Sequence, residues 1–238
     1  MVEIDGLGSV KLMDHMGGAL SVVNCARASL GKYSTLLDER DKRLLRFLIA
    51  NEHTSPFRHV HFSFHIRCPL FVLRQWNKHQ VGCAWNEQSG RYVEFDPVFG
   101  QLEWRAQSPS IKQGSLDTID PDVGLQAQAI YTQAIKFSYD SYQKMLDMGV
   151  CKEQARTLLP QSLITECWWS CSLHALLHFL DLRLDSHSQR EMQLFAQAIK
   201  EEAFRDDEEL AELADFWLWI GSEIRSLKIN LKKSQNKD

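Results

Sequence analysis

The chain has 238 residues, 44% hydrophobic and 24% charged, with a formal net charge of -4, room for one large or two small globular domains. The slight negative charge supplies no global attraction to nucleic acid, so an anionic ligand must be held by local cations. The start, Met-Val-Glu-Ile-Asp-Gly, lacks the basic and apolar runs of a signal peptide, and no stretch approaches the ~18 apolar residues of a membrane span.

The first predicted helix covers 37–52, where Leu44, Leu45, Phe47 and Leu48 form an apolar face. His53-Thr54-Ser55-Pro56 ends it, because proline disfavours helix at the residue before it. Val60, Phe62, Phe64 and Ile66 then alternate with His59, His61, Ser63 and His65, the period of a half-buried strand. Pro69 opens a second helix carried by Phe71, Val72, Leu73 and Trp76, predicted to run to near Gly82. Residues 95–121 hold Pro97, Gly100, Pro109, Gly114 and Pro121 without sustained period, a connection long enough to suggest function. A long helix follows over 122–148, ending at Gly149, and a short one over 152–159, stopped by Pro160. Residues 165–173 are aromatic and β-prone, 174–183 return to helical spacing, and further helices fit 187–203 and 207–227. Residues 232–238 are polar and read as a frayed tail. The pattern predicts an α/β chain of α+β type: one helix-rich domain over 1–228 around a small, mostly antiparallel sheet, with 229–238 as tail. Seven Trp and twelve Phe point to a substantial core or an aromatic interface.

The densest chemistry lies in Asn86-Glu87-Gln88-Ser89-Gly90-Arg91-Tyr92, which offers backbone and hydroxyl donors and a guanidinium to an anion and a carboxylate to a polar ring. That is equipment for a nucleotide monophosphate, and also the composition of an ordinary polar turn. Arg74, Lys78, Arg91, Arg156 and Arg183 stand at or near ends of predicted elements, where cations can converge on a ligand. His53 and Ser55 precede the first strand, and His174 and His178 share a helix face. Without His-Glu-x-x-His or a paired carboxylate nearby, these histidines suit hydrogen bonding rather than a metal. The six cysteines include no C-x-x-C pair and read as reduced thiols of a cytoplasmic protein. Neither a Gly-x-Gly-x-x-Gly crossover nor a Walker loop is present, and Ser89 has no evident base to make it a nucleophile.

From about Ser9 to Phe204 the chain resembles the flavin-dependent thymidylate synthases. The matching pieces are Ala26-Arg27-Ala28-Ser29, His53-Thr54-Ser55-Pro56-Phe57-Arg58-His59, Phe71-Val72-Leu73-Arg74-Gln75-Trp76, the 86–92 segment, Ala155-Arg156-Thr157-Leu158-Leu159-Pro160 and Leu182-Arg183-Leu184-Asp185-Ser186-His187-Ser188-Gln189. Their order and spacing carry the likeness. The family's signature, Arg-His-Arg, seven residues, then Ser, is altered here: the triplet is Lys78-His79-Gln80, and eight residues, Val81 to Gln88, precede Ser89. Lysine keeps a charge without the arginine fork, and glutamine is neutral.

The resemblance implies a homotetramer with active sites at subunit interfaces, FAD held without a Rossmann motif, and conversion of dUMP to dTMP. Methylenetetrahydrofolate would donate the carbon and NADPH would reduce the flavin. It implies nucleotide contacts from Gln75, Lys78, Glu87, Gln88, Ser89, Gly90, Arg91, Arg156 and Arg183, with Arg183 catalytic against the uracil ring. FAD contacts fall on Ser29, His53, Ser55, Lys78, His79, Gln80, Glu87, Ser172, His174 and His178. No metal, nucleic acid or membrane partner is implied. Two alternatives stay open: a related C5 methylase or hydroxymethylase acting on UMP or dUMP, and a non-catalytic flavin- or nucleotide-binding relative.

Overall fold

The computed structural model describes residues 1–109, 112 and 114–235, with side chains as far as Leu227. Its centre is a five-stranded sheet in the order β1-β2-β3-β5-β4, every neighbouring pair antiparallel. The strands are β1 (Val2–Ile4), β2 (Gly8–Met16), β3 (His61–Pro69), β4 (Cys83–Glu87) and β5 (Ile164–Ser172). The histidine alternation marks β3, which lies between β2 and β5, with His65 opposite Trp168. Its other face carries Phe62, Phe64, Ile66 and Cys68, all buried. β2 escapes the sequence reading because a register shift between Leu12 and Asp14 breaks the alternation, and β1 because it is only three residues long.

Helices α1 (Ala19–Arg27), α2 (Glu39–Ala50), α3 (Leu70–Trp76), α4 (Pro121–Asp147), α5 (Lys152–Ala155), α6 (Leu173–Arg183), α7 (Arg190–Phe204) and α8 (Glu208–Gln235) complete the described chain. Asp38 caps α2, its carboxylate accepting from the amides of Arg40 and Asp41 at 2.8 Å. Buried Asp41 pairs with Arg27 of α1, which gives a structural account of the arginine in the Ala26–Ser29 piece. α7 begins at Arg190 rather than 187, because Asp185 accepts from the His187 amide at 2.9 Å and holds 185–188 in a turn. α8 continues to Gln235, past the expected boundary at 228; residues 236–238 of the expected tail lie outside the described residues.

A further expectation is corrected. The helix opened by Pro69 stops at Trp76 and does not reach Gly82. The amides of Lys78 and His79 turn back to the carbonyls of Gln75 and Trp76, at 3.3 and 2.9 Å, so the segment leaves the helix in tight turns. Gly82 has φ +74° and lies so close to α6 that a Cβ would come 3.0 Å from the Ser172 hydroxyl. Trp76 anchors this end of α3: it stacks on Phe179 at 4.9 Å and meets Trp169 at 5.2 Å, while Trp85 stacks on Trp169 at 5.5 Å. Such ring pairs contribute roughly 0.5–1.5 kcal/mol each beyond burial, which fixes α3, α6 and β4 against one another.

A smaller core of Phe95, Tyr142, Ala155, Leu159 and Leu163 lies between the body, α4 and α5. On α4, Val123, Ile130 and Phe137 are seven residues apart and exposed. The 95–121 connection is anchored: the Gly100 amide donates to the Ser162 carbonyl at 2.8 Å, and the Gln101 amide to that of Gly6 at 2.7 Å.

Candidate active site

One group of expected site residues gathers where α3 and α6 end. Arg183, the last residue of α6, is half-buried, and its Nε donates to His79 Nε2 at 2.9 Å. Among the described residues nothing accepts a hydrogen bond from its two terminal amino groups. His79 stands edge-on to Phe179 at 5.1 Å, with His178 at 6.2 Å. Burial first, then the charges of Arg183 and His178, lower its pKa to about 4. The ring is neutral near pH 7, with the accepting Nε2 toward Arg183 and its proton on Nδ1. A neutral acceptor thus aims a cation without neutralising it. Gln75, in the last turn of α3, donates to Gln189. Lys78 and Gln80 are exposed on the turn beyond.

A second group stands at the far end of β4, about 13 Å along the strand at ~3.3 Å per residue. Cys83, Trp85 and Glu87 share the inner face of β4, and at the edge the Glu87 carboxylate accepts from Thr165 Oγ1 at 3.1 Å. Desolvation of that end raises the Glu87 pKa, although much of the side chain is accessible; the Thr165 bond and Arg156 oppose the rise. The chain then turns: the amides of Tyr92 and Val93 donate to the Ser89 carbonyl at 3.0 and 3.1 Å, and the Arg91 amide to the Ser89 hydroxyl at 3.3 Å. Gly90 is buried under Phe95 and Arg156; a Cβ there would come 2.5 Å from the Phe95 ring and 3.2 Å from Arg156 Cδ. Arg91 pairs with Glu153 at 2.8 Å, both exposed. Arg156, in the turn after α5, is exposed.

A third group flanks the N-terminal half of α6. His174 packs edge-on to Trp217 at 5.7 Å, and burial, then Arg58 and His178, lower its pKa. Ser55 is exposed at the start of the 55–59 turn that packs against α6, His53 is exposed just before it and edge-on to Phe47 at 5.8 Å, and Ser29 is exposed after α1. The Ser172 hydroxyl caps α6, accepting from the Ala175 amide at 3.3 Å. Ser172 is buried, but the accessible imidazoles, the exposed Ser29 and Ser55 hydroxyls and the Arg58 charge suit a flavin cofactor's diphosphate and polar ring edge, with no glycine-rich crossover needed.

The structure therefore unites Gln75, His79 and Arg183, and separately Glu87, Ser89, Gly90 and Arg156, but does not close both around one space within a single chain. The sequence reading missed Thr165, Arg105 and Glu191. Only Glu191 left a signal: an acid on the apolar stripe of α7 with Met192 and Phe195, all buried. Among the described residues no three His, Cys, Asp or Glu side chains are placed to hold a metal, and no helix of those residues is long and apolar enough to cross a membrane.

Fold and site together define an α+β protein in which arginines and a neutral histidine, rather than a glycine-rich crossover, gather at the ends of α3, α6 and β4. A family model described as thymidylate synthase complementing protein matches residues 11–206. The chain is 40% identical over 194 residues to a flavin-dependent thymidylate synthase of Kosmotoga olearia, covering 81% of this chain and 83% of that one. It is 38% identical over 195 residues to that of Thermus thermophilus, covering 82% and 70%. It superposes on the UMP/dUMP methylase PolB from Streptomyces cacaoi bound with 5-Br dUMP with a TM-score of 0.78 at 28% identity, covering 89% of this chain and 96% of that one. The same methylase bound with 5-Br UMP also superposes with a TM-score of 0.78. The chain belongs to the thymidylate synthase complementing protein family.

Proposed function

We propose that the chain is an FAD-dependent thymidylate synthase of the cytoplasm that methylates dUMP to dTMP, with 5,10-methylenetetrahydrofolate as carbon donor and NADPH as reductant. The observation that carries the reading is the Arg183–His79 pair, a guanidinium held at one nitrogen by a neutral ring, with no carboxylate among the described residues bound to it. Placed against uracil, it meets negative charge as that charge grows on N3 and O4, which lowers the barrier. Arg91 and Arg156, with the Ser89-Gly90 turn, take the phosphate and ribose by charge-assisted hydrogen bonds. Gln75, Lys78, Glu87 and Gln88 orient the nucleotide.

Ser29, His53, Ser55, Lys78, His79, Gln80, Glu87, Ser172, His174 and His178 would hold FAD, Ser172 while capping α6. When bound, the flavin supplies the redox and carbon-transfer chemistry; the chain supplies position and electrostatics. The separation of Arg183 from the Glu87–Arg156 group along β4 supports sites completed by another copy, in a homotetramer. So does the exposed seam of Val123, Ile130 and Phe137 on α4, 47%, 68% and 75% accessible. Residues 1–228 act as one catalytic domain in this reading, with 229–238 as tail.

A second reading, methylation of UMP, is supported by the likeness to a methylase named for both UMP and dUMP. Product mass separates the two: purified protein with FAD, NADPH and the folate should add one CH2 to dUMP. An equal gain on UMP favours the second reading, and no gain on either, with flavin bound, favours a non-catalytic relative.

A further inference from the structure

Gln75 is the end of a hydrogen-bonded chain that starts outside the site. Its Nε2 donates to Gln189 Oε1. Gln189 Nε2 donates to Glu191 Oε2 at 2.8 Å. The other oxygen of Glu191 binds Arg105 Nη2 at 2.6 Å, and the two side chains are only 7% and 15% accessible. Shape alone does not distinguish the oxygen of an amide from its nitrogen, but here the far end does. Arginine can only donate and a carboxylate can only accept. Turning Gln189 over would set its oxygen against the Glu191 carboxylate. Turning Gln75 over would set two amide oxygens together. Every link is therefore directional: one N–H of the Gln75 amide is committed to Gln189, and its Oε1 keeps both lone pairs to accept from a ligand.

We propose that Glu191 and Gln189 are positioning residues that hold Gln75 with its Oε1 free to accept, so that the site selects a pyrimidine nucleotide by a donor it presents, the imide N3–H or a ribose hydroxyl. This rests on the reading of Gln75 as a nucleotide contact. It accounts for a carboxylate buried on the apolar face of α7, where Met192 and Phe195 are its neighbours: a buried charge costs free energy unless paired, and Arg105 offsets that cost. It also gives the irregular 95–121 segment a role, since that segment delivers Arg105.

The direction of the chain can be reversed by one atom and restored by a second. In Glu191→Gln, Arg105 still requires an oxygen, so the new amide turns its nitrogen to Gln189. Gln189 and then Gln75 flip, and Gln75 presents a donor instead. In the double variant Gln189→Glu with Glu191→Gln, the order returns to that of the wild type with the same net charge. The experiment is calorimetric binding of dUMP, N3-methyl-dUMP and 3′-O-methyl-dUMP to the full-length protein with FAD. The wild type should prefer dUMP to at least one blocked analogue by about tenfold or more, and which one identifies the donor. Glu191→Gln should lose most of that preference and the double variant should regain it. Gln189→Leu, which leaves the Arg105–Glu191 pair intact, should also lose it, and decides the matter if Glu191→Gln does not fold. Wild-type indifference to both methyl groups would overturn the proposal, as would a preference surviving in Gln189→Leu or a double variant that stays indifferent. Failure of the wild type to bind dUMP at all would overturn the nucleotide reading itself and this proposal with it.

Discussion

Lowering the pH attacks the Arg183–His79 pair from the histidine side. In the unfolded chain His79 takes up its proton at an ordinary 6.5, but in the fold only at about 4, because burial and the neighbouring cations disfavour the imidazolium. Between those values the unfolded state binds the extra proton. The stability contributed by the neutral ring is thus complete above pH 6.5, falls as the pH drops through the window, and is gone below about 4. At full strength the difference is roughly 3 kcal/mol, and since water reaches about half the ring we expect roughly 1–2 kcal/mol. Urea unfolding at pH values from 4.5 to 7.5, in wild type and His79→Gln, should show a steeper acid loss in the wild type by that amount, while NMR should find a histidine ring that stays neutral to below pH 5. Glutamine keeps an acceptor for Arg183, so this variant should also retain more turnover than His79→Leu. A His79 ring titrating at 6.5 or above, or identical pH slopes in the two proteins, would refute the reasoning.

Arg183→Ala should lower kcat by roughly 10²–10³ while dUMP still binds, because in the proposed role it meets charge that grows in the transition state; a change confined to KM would make it a binding residue only. Arg156→Ala should instead weaken dUMP binding with kcat nearly kept, since a phosphate is equally charged before and during reaction, and steady-state kinetics would expose the opposite pattern. Gly90→Ala forces a methyl to within 2.5 Å of the Phe95 ring and should cost about 1–3 kcal/mol of stability in a thermal melt. Thr165→Val removes the bond that lowers the Glu87 pKa, so the acid limb of the dUMP-binding profile should move to higher pH. Ser89→Ala should slow turnover by the loss of about 1.5–3 kcal/mol without stopping it; a covalent Ser89 adduct in mass spectrometry would contradict the holding role.

Wherever one short-range rule decides an outcome, the sequence by itself was enough. The histidine–aromatic alternation of 59–66 determined β3, Pro69 and Pro160 determined where a helix begins and where one cannot continue, and the family pieces determined which arginines to watch. What it left open depends on partners distant in the chain. β4 is only five residues and owes its place to pairing with β5, and β1 and β2 to the sheet they extend. After the early stop of α3 the chain brings Gly82 against Ser172, 90 positions later in the sequence. The same holds at the site. Arg183 was legible as a cation at a helix end, but its direction is set by a ring 104 residues away. The sense of the Gln75–Gln189 hydrogen bond is set through Glu191 and Arg105, a set of contacts that no local pattern encodes. Periodicity and punctuation act over a few residues and can be read along the chain; the aim of a charge and the sense of a hydrogen bond arise only when separate segments pack together.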